Sequence, residues 1–336
     1  MYRLRDFVVD DLPLLGCLLP GAADTARDLR GHPGGLCGVV VEDPRGRICG
    51  CIVAARHELV TATRTIGLGI VRMAHVMNEG RVGGVHSLLF ELDCAFAERC
   101  EGPDRALQAV VAQWDEADVW WFRRLRDYEP IAASLGFEGP VAAAKAPADV
   151  VVEGAGADAI AELEFGTGPV TGVRRSRESF AHAAGRPGRR AWIARRGAQV
   201  VAWATARNDA AGAVLEDHTI DWRDVPLATA LLAAVAGGRP LRTTRWTDDE
   251  AELAALQAAG LRIRGPEQLI AARVSAFGLA PATVAEFASF GESDVGARAL
   301  PRLSHNDRIL TPPPPGTRNT QGDHRRRAGN HPHQPR

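Results

Sequence analysis

Residues 76–90, Val-Met-Asn-Glu-Gly-Arg-Val-Gly-Gly-Val-His-Ser-Leu-Leu-Phe, contain a strand-like run that ends in a glycine turn and opens an amphipathic helix. The first backbone N–H groups of a helix have no partner inside the helix, and the helix dipole places positive charge at this end. Gly83 and Gly84 carry no side chain that would block these groups, and Arg81 adds a charged donor at the rim. The stretch therefore predicts a site for a phosphate group.

The composition is that of an ordinary globular protein. The chain has 336 residues, of which 46% are hydrophobic and 24% charged, and this length predicts two domains. Its 40 basic and 41 acidic residues give a net charge of −1, which argues against broad electrostatic binding of nucleic acid or an anionic membrane. No apolar run approaches a membrane span of about 18 residues, and the N-terminus lacks a signal-peptide core. We therefore expect a cytoplasmic protein with neither nucleic-acid nor membrane partners.

The six cysteines all lie between residues 17 and 100 and show no spacing typical of a metal site. We expect no bound metal, and we expect reduced thiols that pack as small apolar groups. Cys49 and Cys51 lie two residues apart on a predicted strand, so they are expected to share one buried face.

Strand-like and helix-like segments alternate along the first half in an order that predicts a mixed sheet flanked by helices. In chain order they are a strand at 2–7, a helix to about 19, a hairpin of strands at 36–42 and 48–57, a strand at 65–77, a helix at 84–99, a strand at 106–113 and a helix at about 117–135 before Gly136 and Phe137.

The second half repeats this order in shortened form, which indicates an internal duplication. Its segments are a strand at 149–152, a helix at 177–184, a hairpin of strands at 191–195 and 200–207, a strand at 214–220, a helix at 226–236, a strand at 241–244, a helix at 248–259 and a strand at 261–264. Beyond about Ser275 the pattern fades into a segment rich in Pro, Arg, His and Asn, which predicts disorder. We therefore expect one domain at 1–146, a second at 147–276 and a disordered tail at 277–336.

The order of segments in the first half resembles that of the GCN5-related N-acetyltransferase (GNAT) family. The phosphate turn of that family follows the pattern Q/R-x-x-G-x-G/A. Arg81 and Gly84 match its first two fixed positions, and His86 stands at the third. The resemblance implies an α/β (α+β) protein of two tandem GNAT-like domains, each a mixed, largely antiparallel sheet flanked by helices.

The same resemblance implies acetyl-CoA as cosubstrate. A backbone N–H of the strand near Val76 or Met77 would hold the thioester carbonyl, and the turn and helix start would hold the pyrophosphate. The residues that would bind the cosubstrate are Val76, Met77, Arg81, Val82, Gly83, Gly84, Val85, His86 and Ser87.

The second copy looks disabled at the corresponding turn, Arg223-Asp224-Val225-Pro226-Leu227-Ala228. Pro226 stands in place of the central glycine and has no N–H to donate, and Asp224 places a negative charge where a pyrophosphate would lie. We therefore expect only the first copy to bind acetyl-CoA, and the second to form a wall of the acceptor site.

Acetyl transfer to an amine requires a neutral amine, a polarised carbonyl and a proton for the leaving thiolate. Family members commonly supply that proton from a tyrosine, but Ala132 occupies the position here. Tyr128 lies one turn earlier on the predicted helix and is the candidate acid, although another register makes it a structural residue.

The candidate base is His75, because a histidine has a pKa suited to accepting a proton from an ammonium group. A glutamate that serves this role in some family members is replaced by Ile70. His57 with Glu58 forms a second acid–base candidate. Four aromatic residues either line the acceptor channel or belong to the core: Trp114, Trp120, Trp121 and Phe122.

These residues favour an acetyl-CoA-dependent N-acetyltransferase that acts on a small amine, as a monomer or a homodimer. The alternative is a non-catalytic acyl-CoA-binding or regulatory module, since Ala132, Ile70 and His86 depart from the family pattern. A third interpretation, a nucleic-acid contact at Arg325–Arg327, is weaker than a solvated tail.

Overall fold

The computed structural model describes residues 2–18, 22–76, 85–114, 127–156, 164–165, 172–245, 249–274 and 279–287. The predicted phosphate turn at 77–84 lies outside these ranges, as do 115–126 and the tail from 288 onward. All the described residues belong to one compact unit.

Within the described residues the strands join in a single mixed sheet. They are β1 Arg3–Asp6, β2 Leu36–Glu42, β3 Ile48–Val60, β4 Thr65–Val76, β5 Ala109–Trp114, β6 Glu129–Pro140, β7 Val150–Ala155, β8 Glu164–Phe165, β9 Gly172–Val173, β10 Arg189–Arg196, β11 Gln199–Asp209, β12 Gly212–Thr219, β13 Pro240–Arg245 and β14 Arg262–Val274. The helices are α1 Leu12–Leu18, α2 Ala22–Leu29, α3 Val85–Cys100, α4 Arg177–Ala184, α5 Val225–Ala236, α6 Glu250–Ala258 and α7 Pro281–Phe287. None of these helices is long and apolar enough to cross a membrane.

The sheet contains two similar lobes that exchange one strand each. We call β1–β5 with α1–α3 the front lobe, and β7 and β10–β13 with α4–α6 the rear lobe. The strand order is β1-β2-β3-β4-β5-β14-β6-β13-β12-β11-β10-β7. Strand β6, which follows the front lobe in the chain, pairs with β13 of the rear lobe, and β14, which follows the rear lobe, pairs with β5 of the front lobe. The two lobes are therefore joined in one sheet by a reciprocal exchange of β6 and β14.

Each lobe has helices on both faces of its part of the sheet. In the front lobe, α3 covers one face with Leu92 and Phe96, and α1 and α2 cover the other with Leu12, Leu15 and Leu29. In the rear lobe, α5 and α6 cover one face, and Phe180 of α4 stacks on Trp203 on the other. The apolar faces of these helices account for the buried core.

Both lobes carry a bulge at the same place. Arg72 of β4 is passed over in the pairing of β4 with β3, and Glu216 of β12 is passed over in the pairing of β12 with β11. A bulge bends its strand and increases the local twist, so each of these strands turns away from its next neighbour.

The predicted helix at about 117–135 is wrong over its second half, because residues 129–140 form strand β6. β6 is hydrogen-bonded to β14 on one edge and to β13 on the other. Pairing on both edges overrides the helical spacing of its small and apolar residues.

Two further expectations need correction. Cys49 and Cys51 belong to clusters on opposite faces of the sheet, because a bulge in β3 next to Gly50 reverses the alternation. The expected tail at 277–336 includes α7, whose Val284 is fully buried, so packed chain extends beyond residue 277.

Candidate functional site

A wedge opens between β4 and β5 in the front lobe. The two strands pair in parallel only where Leu68–Ile70 lies beside Ala109–Val111. Beyond Ile70, β4 remains paired with β3 as far as Val76, while its other edge leaves β5 at the Arg72 bulge. Within the described chain, this edge of β4 offers backbone N–H and C=O groups that belong to no strand ladder.

Helix α3 begins at Val85, soon after the end of β4, and it packs against β2, β3 and β4. Val76 is the last residue of β4 and is buried. Val85, His86 and Ser87 form the first turn of α3. The other predicted cosubstrate residues lie outside the described ranges: Met77, Arg81, Val82, Gly83 and Gly84.

The rear lobe has a corresponding wedge, and its helix start carries its own carboxylate. Strands β12 and β13 pair in parallel only at Ala213 and Val214. The side chain of Asp224 caps α5 by accepting a hydrogen bond from the backbone N of Leu227 at 3.1 Å. Pro226 lies in the first turn and donates no N–H.

Buried side chains of the rear lobe also pack together near the ends of these strands. Arg245, at the end of β13, is 1% exposed and forms a buried ion pair with Glu252. The ring of buried Trp222 lies 5.1 Å from that of His218 and 5.9 Å from the guanidinium carbon of Arg245.

His75 lies on β4, in register with Cys51 of β3. Directly opposed residues of a sheet share a face, so His75 lies on the face that α1 and α2 cover. Its burial lowers the pKa of the imidazole below its ordinary value. His75 is therefore neutral near pH 7, the state that a proton acceptor requires.

We expect the free energy of unfolding to decrease as the pH falls from about 7 to about 5, and His75→Gln to remove part of this decrease. The unfolded chain protonates His75 near its ordinary pKa of 6.5, whereas the folded protein resists protonation to a lower pH. The stabilisation is thus complete above the unfolded pKa and is lost as the pH falls through the folded one. Urea unfolding of both proteins at several pH values measures the difference. Parallel pH curves would contradict the assignment.

Tyr128 lies on the opposite face of the sheet, in the cluster beneath α3. It is 1% exposed, and the guanidinium carbon of Arg273 lies 4.4 Å from its ring centroid. Arg273 in turn pairs with Asp93 and Glu101. The structure therefore does not bring Tyr128 and His75 together. Ala132 lies in β6, in register with Ile270 of β14.

Of the four aromatic residues in the predicted cluster, Trp114 is the last residue of β5 and pairs with Leu269 of β14. Trp120, Trp121 and Phe122 fall outside the part of the chain that the structure describes.

A polar cavity lies between the two lobes, on the face of the sheet that carries His75. The cavity is small, with about 20 Å³ of space for the centres of water-sized atoms, and it opens into solvent. Arg72, the bulged residue of β4, contributes to its wall, so the cavity lies beside the narrow end of the front wedge. The residues that line it are His32, Pro33, His57, Arg72, Arg175, Ser179, His182, Ala183, Arg186, Trp203 and Asp217.

Asp28 of α2 connects the lobes behind this wall. One carboxylate oxygen accepts a hydrogen bond from Nη2 of Arg72 at 2.9 Å. The other pairs with Nε of Arg186 and lies 3.7 Å from Nε2 of His182, both on the rear-lobe side of the cavity. Burial, and then the charge of Arg186, lower the pKa of His182, so this imidazole is also neutral near pH 7.

Three imidazoles are grouped at the cavity. The ring centroid of His32 lies 4.9 Å from that of His57 and 5.7 Å from that of His182. Across the described residues, no three His, Cys, Asp or Glu side chains are placed to share a metal ion. The sequence pattern predicts a role for His57 but not for His32, His182 or Asp28. These residues come from distant segments and form no motif.

No model of a known protein family matches the sequence, and no curated protein matches it. Solved structures do resemble it. A probable N-acyltransferase of unknown function from Enterococcus faecalis superposes with a TM-score of 0.58 at 8% identity, over 82% of this chain and 73% of that one. A GCN5-related N-acetyltransferase from Anabaena variabilis gives a TM-score of 0.56 at 11% identity, over 82% and 73%. A tandem GNAT protein from the clavulanic acid biosynthesis pathway gives 0.50 at 15% identity, over 83% and 100%. The chain therefore has the fold of the GCN5-related N-acetyltransferases.

Proposed function

We propose that the protein is an acetyl-CoA-dependent N-acetyltransferase that acts on a small amine. The observation that carries this proposal is the open edge of β4 beyond Ile70, which faces the wedge just before α3 begins. A strand edge can pair with an extended amide-bearing arm, and a helix start can bind phosphate. Acetyl-CoA contains an extended amide-bearing arm and phosphate groups, and it supplies the activated acetyl thioester.

The rear lobe does not bind a second cosubstrate in this proposal. Asp224 and Pro226 support this view, since one supplies a competing carboxylate to the helix start and the other removes a donor. The buried Arg245–Glu252 pair and Trp222 support it as well, because they pack near the ends of β12 and β13.

The acceptor amine enters from the inter-lobe cavity, which meets the wedge at Arg72. Its nitrogen attacks the thioester carbon, the C–N bond forms and the C–S bond breaks. The leaving thiolate takes up the proton that the attacking nitrogen loses as it becomes an amide. We retain His75 as the proposed base that takes the proton from the ammonium group. Because Tyr128 is buried under Arg273, we assign it a structural role and not that of the catalytic acid.

Calorimetry with acetyl-CoA and a thiol-release assay over a panel of small amines test the proposal. We expect one acetyl-CoA to bind per chain and thiol release to depend on the amine. Failure to bind acetyl-CoA, or binding of two molecules per chain, would refute the proposed division between the lobes.

A non-catalytic acyl-CoA-binding module is the second candidate function. Two observations favour it. The candidate acid Tyr128 is buried on the α3 face, and Ala132 and Ile70, at the family's acid and base positions, carry no ionisable group. Tight binding of acetyl-CoA without thiol release over the whole amine panel would support this alternative. In either case we propose a monomer or a homodimer.

We expect Tyr128→Phe to retain turnover within about twofold, because the phenyl ring keeps its stacking under Arg273. Loss of a catalytic acid would instead reduce kcat by roughly 100-fold or more. Steady-state kinetics with the best amine of the panel distinguish the two roles. A large fall in kcat with unchanged stability would restore the catalytic assignment.

A further inference from the structure

We propose that the inter-lobe cavity binds a carboxylate of the acceptor, so that the substrate is an amine that also carries an acidic group, as an amino acid does. This inference rests on the proposed function and specifies its substrate class.

The charges at the cavity wall favour an anion. Among its described lining residues are three that carry a guanidinium group, Arg72, Arg175 and Arg186, and one that carries a carboxylate, Asp217. Asp28 does not line the cavity but lies behind Arg72 and Arg186. A guanidinium group matches a carboxylate in shape as well as charge, since it can donate two parallel hydrogen bonds.

Arg72 carries a donor that the described part of the chain does not use. Its side chain is 1% exposed, and one of its terminal nitrogens binds Asp28. Its Nε atom is buried and has no hydrogen-bond partner among the described residues. A buried N–H without an acceptor is costly, and a carboxylate oxygen in the cavity would satisfy it.

Two contacts of the Asp217 carboxylate in the wall are long. Asp217 lies 3.3 Å from Nη1 of Arg186 and 4.0 Å from Nη1 of Arg175. Charge-assisted hydrogen bonds are usually about 2.7–2.9 Å long. A substrate carboxylate at normal distance would therefore compete well for these guanidinium groups.

The cavity is placed so that a substrate held there by its carboxylate can keep its amine near the reaction site. Arg72 lies at the bulge where the wedge narrows, so an acid held there keeps the rest of a small acceptor close to the proposed thioester site. His182 is neutral because of its burial, and it remains available to hydrogen-bond the amine.

The probes are N-acetyl amino acids with small, aromatic and acidic side chains, each compared with its carboxamide. Binding is measured by thermal shift and ligand-detected NMR, and the parent amino acids and amides are compared in the thiol-release assay. We expect the wild type to prefer the acid over the amide by roughly tenfold or more. Equal binding of both members of every pair would overturn the inference.

Three variants test the residues. Arg186→Gln is expected to weaken binding of the acids roughly 10- to 100-fold. Asp217→Asn is expected to tighten it, because it removes an internal competitor for Arg186 and Arg175. Arg196→Gln is the matched control, since Arg196 is half-exposed and pairs with Asp149 away from the cavity wall. A purely structural ion-pair network predicts that Asp217→Asn destabilises the protein and does not tighten binding, and that outcome would refute the proposal.

Calorimetry with acetyl-CoA on the same preparations separates the two proposals. If the acids bind as expected and acetyl-CoA does not bind, the proposed function fails and the anion site stands. If acetyl-CoA binds and amines are acetylated without any preference for the acid, the anion site fails alone.

Discussion

Arg273→Leu is expected to destabilise the protein by about 3–5 kcal/mol, because it leaves two buried carboxylates without their cation. Nη1 of Arg273 lies 2.8 Å from Asp93, and its Nε donates to Glu101 at 2.8 Å. Both acidic side chains are 2% exposed. The variant also loses the contact of the guanidinium group with the ring of Tyr128.

This ion-pair cluster joins the two halves of the chain. Arg273 belongs to β14, the strand that comes from the rear lobe and pairs with β5. Asp93 lies on α3, and Glu101 directly follows that helix. The cluster therefore fixes the exchanged strand to the front lobe, and we expect Arg273→Leu to weaken the association of the lobes as well as the local packing.

Urea unfolding followed by circular dichroism measures the change. Arg264→Leu is the matched control on the same strand, because Arg264 is 55% exposed and its pair with Glu138 spans 3.4 Å. We expect that control to stay within about 0.5 kcal/mol of the wild type. If Arg273→Leu stayed equally close, the cluster would not hold the strand in place.

Much of the local structure could be predicted because it depends on local signals. Helix α4 has Ser176 as its N-cap and was predicted with its observed bounds. The hairpin of β10 and β11 was predicted from two apolar strands that flank the turn at Arg196 and Gly197. Such features depend on neighbours in the chain, so a single sequence contains the information.

Features set by distant contacts could not be predicted in this way. The order of strands and helices is the same with or without an exchange of β6 and β14, so the sequence pattern does not distinguish the two arrangements. A bulge in β3 placed Cys49 and Cys51 on opposite faces although their spacing predicted one face. The cavity escaped prediction for a related reason, because Arg72 and Arg186 are distant in sequence and are joined only in the folded protein, where both pair with Asp28.

Gly84→Asp is expected to reduce acetyl-CoA affinity by about 100-fold or more while the protein stays folded. Gly84 directly precedes Val85, the first residue of α3, as Asp224 directly precedes Val225 of α5. An aspartate before a helix is a good N-cap and tends to stabilise it. The same carboxylate would repel a phosphate and accept the N–H groups that the phosphate needs.

The substitution thus gives the front turn the carboxylate that the rear turn has naturally. The rear variant Asp224→Gly is its matched control. We expect Asp224→Gly to cost a few tenths of a kcal/mol to about 1 kcal/mol of stability through loss of the cap on Leu227, and to leave acetyl-CoA binding unchanged. Calorimetry gives the affinities, and thermal unfolding gives the stabilities.

The two variants together show whether the turn before α3 binds the cosubstrate or only connects the strand to the helix. If the front turn only joins β4 to α3, Gly84→Asp should leave acetyl-CoA affinity as it is. If the rear turn binds the cosubstrate, Asp224→Gly should alter affinity. Loss of binding in the front variant alone is the result that the proposed division between the lobes requires. Of the two corresponding turns, the front one has no acidic residue directly before its helix, whereas the rear one has Asp224.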